Sequence, residues 1–323
     1  MKAIVQEGSG SADVLHLREI DRPELPDDRV LVRVRAASVN ALDWHTVHGG
    51  RLVSAVGFLL RQPTFPIRGA DLSGHVEAVG KNVTRLRPGD AVFGTARGTF
   101  AEFAIAREDR LVLKPPQLSF AQAGAMGVAA LTALQGLRDR GQVAPGTRVL
   151  IHGAGGGVGT FAVQIAKALG GHVTAVTSTR NLELVRSLGP DEAIDYTNED
   201  FTRHPERYDV IFDVAATRSF ADCRRVLRPN GKIVLTGAAK GGMVRTLSRA
   251  LAGIVRSRYF GSRWLVPFLA TVTYEDLIVL KELVEAGKVC PVIDREYTLS
   301  EAAEAVRYVG TGQARAKVVI TVA

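Results

Sequence analysis

Two patterns of apolar and polar positions divide the chain. From Arg148 to Gly237, short apolar runs alternate with segments whose apolar residues recur every three or four positions. Arg148 to Ile151, Val173 to Ser178, Asp191 to Tyr196, Tyr208 to Val214 and Gly231 to Gly237 read as strands, with Leu265 to Thr271 as a sixth. Val158, Ala162, Ile165 and Leu169 form the packing stripe of one helix, and Asn181 to Leu188 and Ser219 to Leu227 read as two more. Strands and helices in this alternation are the parts of a doubly wound parallel α/β sheet of the Rossmann type.

Residues 1–115 carry another pattern. Lys2 to Val5, Val30 to Val34, Gly74 to Val79, Ala91 to Phe93, Phe100 to Ile105 and Leu111 to Lys114 are short strands between Gly, Pro and Asp turns, which predicts a compact β-rich domain. Helical stretches Ser119 to Arg140 and Tyr274 to Ala286 flank the α/β unit, and a last strand, Lys317 to Val322, returns to the first domain. The expected organisation is a β-rich domain of residues 1–118 and 272–323 around an α/β domain of residues 119–271, with a cleft at their junction.

The strand at Arg148 runs into Gly153-Ala154-Gly155-Gly156-Gly157-Val158-Gly159 and then into a helix. Small residues at Ala154, Gly156 and Gly159 give the spacing that permits a tight turn, close approach of a pyrophosphate, and tight helix packing. Gly157 and Val158 complete the turn, whose helix start presents unpaired amides and the positive end of its dipole. At the end of the next strand an NAD site carries an acidic residue for the ribose 2′-hydroxyl. No acidic residue occurs from Ala154 through Leu182, where Ser178, Thr179, Arg180 and Asn181 stand instead. Hydroxyls and a guanidinium suit a 2′-phosphate, which points to NADPH held by Ser178, Arg180 and Asn181.

With 323 residues, 46% of them hydrophobic, the chain is long enough to bury two cores. The net charge of +8 raises the question of nucleic acid, but the basic residues are scattered and no helix carries a continuous Lys/Arg face with interleaved aromatics. The cluster Arg245, Arg249, Arg256, Arg258 and Arg263 reads as a pocket rim or a surface, and its last four members break the apolar stretch Leu247 to Ala270 too often for a membrane span. Met1 to Val5 opens a strand without the apolar core of a secretory leader. Two cysteines, Cys223 and Cys290, make neither a disulfide framework nor a metal cluster, so a cytoplasmic setting is expected.

Four ordered segments now resemble a known family: Ala37 to Trp44, Gly69 to Gly80, Arg87 to Gly94 and the turn His152 to Gly159. Together they look like the medium-chain dehydrogenase/reductase superfamily, in its zinc-independent quinone oxidoreductase branch, and the likeness extends through Ile293 to Tyr297 and Lys317 to Ile320. The resemblance implies a GroES-like fold for the β-rich domain, a homodimer joined through edge strands, and hydride transfer from NADPH to a quinone or α,β-unsaturated carbonyl. Zinc enzymes of the superfamily have a cysteine where this chain has Asn40, and Gly-His-Glu where it has Gly69-Ala70-Asp71. Without those ligands no metal is expected, since catalytic zinc takes three protein ligands of Cys, His or carboxylate type. An electron-poor acceptor then suits the site, because it delocalises the charge that arrives with the hydride.

The resemblance also implies roles toward the cofactor for Thr132, near the nicotinamide half, and for Tyr196, near the adenosine end; packing of Tyr196 on the sheet is the alternative. Backbone groups of Phe268 and Ala270 are candidates for the nicotinamide. Asn40 and Asp43 are the polar residues expected at the chemical end, Asn40 bonding a ribose or substrate oxygen and Asp43 bracing the loop, while His45 is the proton donor suggested by pKa. Gly49 to Pro66 reads either as a lid over a small apolar substrate or as a core helix. Rival readings are an alcohol dehydrogenase or aldehyde reductase, and a catalytically idle NADPH-binding protein.

Overall fold

The computed structural model of the chain describes residues 1–8, 10–48, 66–236 and 264–323. The Gly49 to Pro66 stretch, apart from Pro66, lies outside the described residues, as do residues 247–263 of the late apolar stretch and the five arginines Arg245 to Arg263. The chain divides into two compact units. Met1–Ala129, Val272–Glu285 and Pro291–Ala323 form the first, and Ala130–Thr271 with Ala286–Cys290 the second.

The first unit runs β1 (Lys2–Gln6), β2 (Leu15–Glu19), β3 (Arg29–Val39), α1 (Ala41–His48), β4 (Asp71–Val79), β5 (Ala91–Thr95), β6 (Phe103–Arg107), β7 (Leu111–Leu113) and α2 (Phe120–Gly124), and α3 (Gly127–Gln135) leads out of it. The second continues with β8 (Arg148–His152), α4 (Gly157–Ala168), β9 (His172–Thr177), α5 (Leu182–Ser187), β10 (Glu192–Asp195), β11 (Tyr208–Asp213), α6 (Phe220–Arg225), β12 (Leu227–Leu235) and β13 (Leu265–Pro267). α7 (Tyr274–Glu285), β14 (Ile293–Thr298), α8 (Ala302–Gly310) and β15 (Lys317–Thr321) complete the first unit.

Among the described residues the second unit has six parallel strands in the order β10-β9-β8-β11-β12-β13. Val149 to Ile151, Val173 to Val176 and Ile211 to Phe212 are buried throughout, which is why these strands read as continuous apolar runs. The order steps away from β8 in both directions, so β8 and β11 flank the switch point, where ligands of such sheets bind beyond the carboxyl ends of the strands.

Among its described residues the first unit has a seven-stranded sheet in the order β14-β15-β3-β4-β5-β7, with β6 also on β3; β1 and β2 pair separately. β15 pairs antiparallel with β3, returning the last strand to the first domain as its sequence predicts. β2 has no counterpart among the predicted strands, because its polar residues and exposed Leu17 leave it held by pairing with β1 more than by burial.

Two helix and strand expectations differ from the structure. The predicted helix Ser119 to Arg140 is broken between α2 and α3, where the Asp71 carboxylate accepts the Val128 N–H at 2.7 Å and a Cβ on Gly127 would collide with it. That anchorage keeps residues 119–129 in the first unit, so the boundary falls inside α3 and not at 118. The strand predicted over Leu265 to Thr271 ends at Pro267; Thr271 is held instead by the Gln135 side chain, which bonds both its carbonyl (2.7 Å) and its N–H (3.0 Å).

Candidate active site

In the second unit the turn after β8 is folded by its own backbone. Gly153, at φ +93°, and Ala154 both donate to the Val176 carbonyl, at 3.1 and 3.0 Å, tying the turn to β9. A side chain on Gly159 would run into the backbone of Gly153 and Ala154, so this glycine serves helix packing. Gly156 differs. A Cβ there would meet nothing nearer than the Gly153 carbonyl at 3.6 Å, and its φ is an ordinary −93°. The fold therefore tolerates a side chain at 156, and a bare backbone there fits close approach of a ligand. No side chain caps α4, whose first turn (Gly157, Val158, Gly159) has no acidic residue, so its amides suit a pyrophosphate.

The predicted adenosine-end residues follow β9. Ser178 is half-buried at the N-cap of the one-turn helix Thr179–Asn181 and makes no capping bond, and Arg180, inside that helix, is exposed. Asn181 is buried against the turn: its Nδ2 lies 2.6 Å from where Gly155 would carry a Cβ, and its Oδ1 has no protein hydrogen-bond partner. A carboxylate does stand nearby, at the end of β10. Asp195 takes bonds from the Thr179 hydroxyl (2.6 Å), the Thr197 hydroxyl (2.7 Å) and the Asn198 amide (2.9 Å), and the Thr179 bond leads in holding it below the usual carboxylate range. Tyr196 is 47% exposed, so it does not pack away on the sheet.

Thr132 is buried on α3, one turn before Gln135. Phe268 gives its N–H to the Leu235 carbonyl at 3.2 Å, and Ala270 is half-buried beyond it. One pair at the switch point was not foreseen in sequence. His152 Nδ1, at the end of β8, lies 2.8 Å from Asp213 Oδ1 at the end of β11, and both are fully buried. Asp213 also accepts the Ala216 N–H (2.8 Å), and the His152 carbonyl accepts the Val214 and Ala215 N–H groups. These bonds strap the loop after β11 to the glycine turn. Residue spacing carries no signal for them, because the pair spans sixty-one positions.

In the first unit the ends of β3, β4 and β15 bring together Ser38, Asn40, Asp71 and Lys317. Asp71 is fully buried; its Oδ2 accepts Ser38 Oγ (2.7 Å) and Asn40 Nδ2 (2.8 Å) and lies 3.5 Å from Lys317 Nζ, while its Oδ1 takes the Val128 N–H. Lys317, 3% exposed, also donates to Asn40 Oδ1 at 2.7 Å. Burial lowers the Lys317 pKa and the Asp71 charge opposes that shift. Lys317 was missed as a site residue; its signal is a lysine heading the apolar run Val318-Val319-Ile320, which in a buried strand demands a counter-charge.

Asp43 braces the start of α1: its Oδ2 accepts the Asn40 backbone N–H at 2.8 Å. Burial pushes its pKa up to about 6. His45 is a poorer proton donor than its residue type suggests. Burial first, and then the charge of His48, lower its pKa and favour the neutral ring at neutral pH. Both rings pack on Trp44, His48 stacked at 4.5 Å and His45 edge-on at 4.9 Å, so they form an aromatic cluster rather than a ligand pair.

A zinc ion does not fit these residues. Asn40 offers an amide, both Asp71 oxygens are engaged, and an ammonium already neutralises that carboxylate. Among the described residues no group of three His, Cys, Asp or Glu is placed to hold a metal, and no helix is long and apolar enough to cross a membrane. Several surface arginines of the described residues stand in local pairs, such as Arg18–Glu7, Arg22–Glu77 and Arg307–Asp13.

Residues 26–116 match the profile of the alcohol dehydrogenase GroES-like domain, and residues 188–320 that of a zinc-binding dehydrogenase. The chain is 35% identical to 2-methylene-furan-3-one reductase of Solanum lycopersicum and 36% identical to the chloroplastic NADPH-dependent alkenal/one oxidoreductase of Arabidopsis thaliana, each over 99% of this chain and 79% of the relative. The quinone oxidoreductase of Coxiella burnetii has the same fold, with a TM-score of 0.86 and 32% identity over 100% of this chain and 99% of that one. The chain thus belongs to the medium-chain dehydrogenase/reductase superfamily, in its quinone-oxidoreductase-like branch.

Proposed function

We propose that the chain is an NADPH-dependent oxidoreductase that reduces quinones or α,β-unsaturated carbonyls without a metal ion. The observation that carries the metal-free part is the saturation of Asp71, whose oxygens are taken by Ser38, Asn40, Val128 and Lys317. The acceptor class is supported by relatives named for alkenal, enone and quinone reduction.

Bound NADPH would supply the hydride. Ala154, Gly156, Gly157, Val158 and Gly159 cradle its pyrophosphate through backbone amides, and Ser178 and Arg180 take the 2′-phosphate through a hydroxyl and a guanidinium. Asn181 holds the glycine turn against α5 and offers Oδ1 to the ribose. Tyr196 covers the adenosine end, and Thr132 with the Phe268 carbonyl and Ala270 receive the nicotinamide half. Asn40 orients the substrate oxygen; Asp43 keeps Asn40 in place and does not itself transfer a proton. With His45 favoured as a neutral ring, the proton that completes reduction comes from solvent.

The reading extends to a homodimer joined along β13. Among the described residues this is an edge strand, and Leu269 just beyond it is 86% exposed. A cytoplasmic setting is supported by the cysteines, one buried and one exposed, which form no disulfide with each other.

NADPH oxidation followed optically against 1,4-benzoquinone, 9,10-phenanthrenequinone, a medium-chain enone and a simple aldehyde tests the reading, with NADH and chelator controls. The expected result is chelator-resistant, NADPH-preferring reduction of the quinone or enone. Reduction of the aldehyde alone, abolished by chelator, would support the zinc dehydrogenase reading that the profile over residues 188–320 suggests.

A further inference from the structure

We propose that Lys317 is a positioning residue that locks the Asn40 amide in one orientation, so that Asn40 presents an N–H, and not its carbonyl, to the substrate oxygen. The inference rests on the function proposed above. Its physical basis is the pair of contacts on the two ends of one amide: Lys317 Nζ donates to Asn40 Oδ1 at 2.7 Å, and Asn40 Nδ2 donates to Asp71 Oδ2 at 2.8 Å.

A flipped amide would set its NH2 against the lysine ammonium and its oxygen against a carboxylate. Both contacts would be repulsive in a buried setting where the penalty is large. Here the amide assignment is therefore fixed by chemistry on both sides. The hydrogens of Lys317 are matched by three acceptors: Asn40 Oδ1, Asp71 Oδ2 and the Val39 carbonyl at 3.4 Å. Of the two Nδ2 hydrogens on Asn40, one is given to Asp71.

The second hydrogen is the donor that this network does not use internally. Ser38, Asp71 and Lys317 are buried, whereas Asn40 is half-buried, so among these side chains it alone reaches the surface of the unit. The ammonium on Oδ1 draws electron density from the amide and strengthens the remaining N–H as a donor, as linked hydrogen bonds polarise one another. Such a donor suits an oxygen that gains negative charge as an enolate or hydroquinone anion forms.

The test is a double-mutant cycle in the full-length protein. Lys317→Met is expected to lower kcat on a medium-chain enone ~10- to 100-fold with the NADPH Kd within about twofold of wild type. Lys317→Gln retains a donor to Asn40 Oδ1 and is expected to recover most of the loss. In an Asn40→Ala background Lys317→Met should cost no further kcat, because its effect passes through the missing amide. A structural role would instead repeat the loss, and that result overturns the proposal.

Where Lys317→Met does not fold, the Lys317→Met/Asp71→Asn pair and Lys317→Gln carry the same comparison. A second readout needs no turnover. In protein labelled at asparagine with 15N, the Asn40 side-chain NH2 should be protected from solvent hydrogen exchange in wild type and lose that protection in Lys317→Met; equal protection in both would overturn the locking. If wild type reduces no quinone or enone, the function falls and with it the donor role, while the amide spectra still decide whether Lys317 locks Asn40.

Discussion

The candidate groups of the two units are built by opposite means. The glycine turn of the second unit works through missing atoms: bare backbone at Gly156, uncapped amides at the start of α4, and glycine at 159 so the helix can close on the turn. The network of the first unit works through atoms present and fully engaged, with Asp71 and Lys317 buried and bonded on every side. A turn made of absences tolerates substitution wherever the space is open. A saturated buried network tolerates almost none, because removing one partner strands the others.

The contrast is broken most forcefully at Lys317. Lys317→Met leaves the Asp71 charge buried, and urea denaturation should show a loss of about 3–5 kcal/mol, partly restored when Asp71→Asn is added. An unchanged midpoint would mean the network is not under electrostatic constraint. Next come the glycines, which should separate. Gly159→Val forces a side chain into the Gly153 backbone and should destabilise by about 3 kcal/mol. Gly156→Val should keep the melting temperature and weaken NADPH about 30-fold in a fluorescence titration, since the side chain enters the ligand's space and not the protein's.

A smaller effect is expected at Arg180. Arg180→Ala should reduce the preference for NADPH over NADH about tenfold in kcat/KM, the loss of one exposed charge-assisted contact. An unchanged preference would move the 2′-phosphate elsewhere.

The smallest prediction concerns Asp43. Its folded pKa of about 6 lies above the ordinary value of 3.8, so folding favours the protonated acid. The stability that this preference contributes is present below pH ~4 and is lost as pH rises through about 6. Asp43→Asn, which cannot ionise, should gain about 1 kcal/mol over wild type above that pH, with the gain vanishing in acid. The charges facing Asp43 are those of Asp71, Lys317 and Arg68, with the Asn40 and Gly69 amides beside it. A stability difference that does not vary with pH would contradict the assignment.

The second unit was legible in sequence because its signals are local. Parallel strands buried on both faces appear as apolar runs, and the turn, the helix stripe and Arg180 all lie within about thirty residues of one another. Asn40 and Asp71 stood out for what they are not, since neither matches the zinc ligands of the superfamily. Their actual bonding depends on Lys317, 277 positions from Asn40, and on the Val128 amide. Asp71 also explains the break between α2 and α3, which helical spacing alone hid. The His45 expectation rested on an isolated imidazole and changed once its burial and His48 were in view.

The most direct test of the central claim is a single turnover of metal-stripped protein with NADPH deuterated at the transferred position and an α,β-unsaturated ketone, the product read by mass spectrometry and NMR. The account predicts deuterium at the β-carbon with the carbonyl intact, at a rate that added zinc does not raise. Deuterium on a carbinol carbon, or turnover that appears only when zinc is restored, would contradict it.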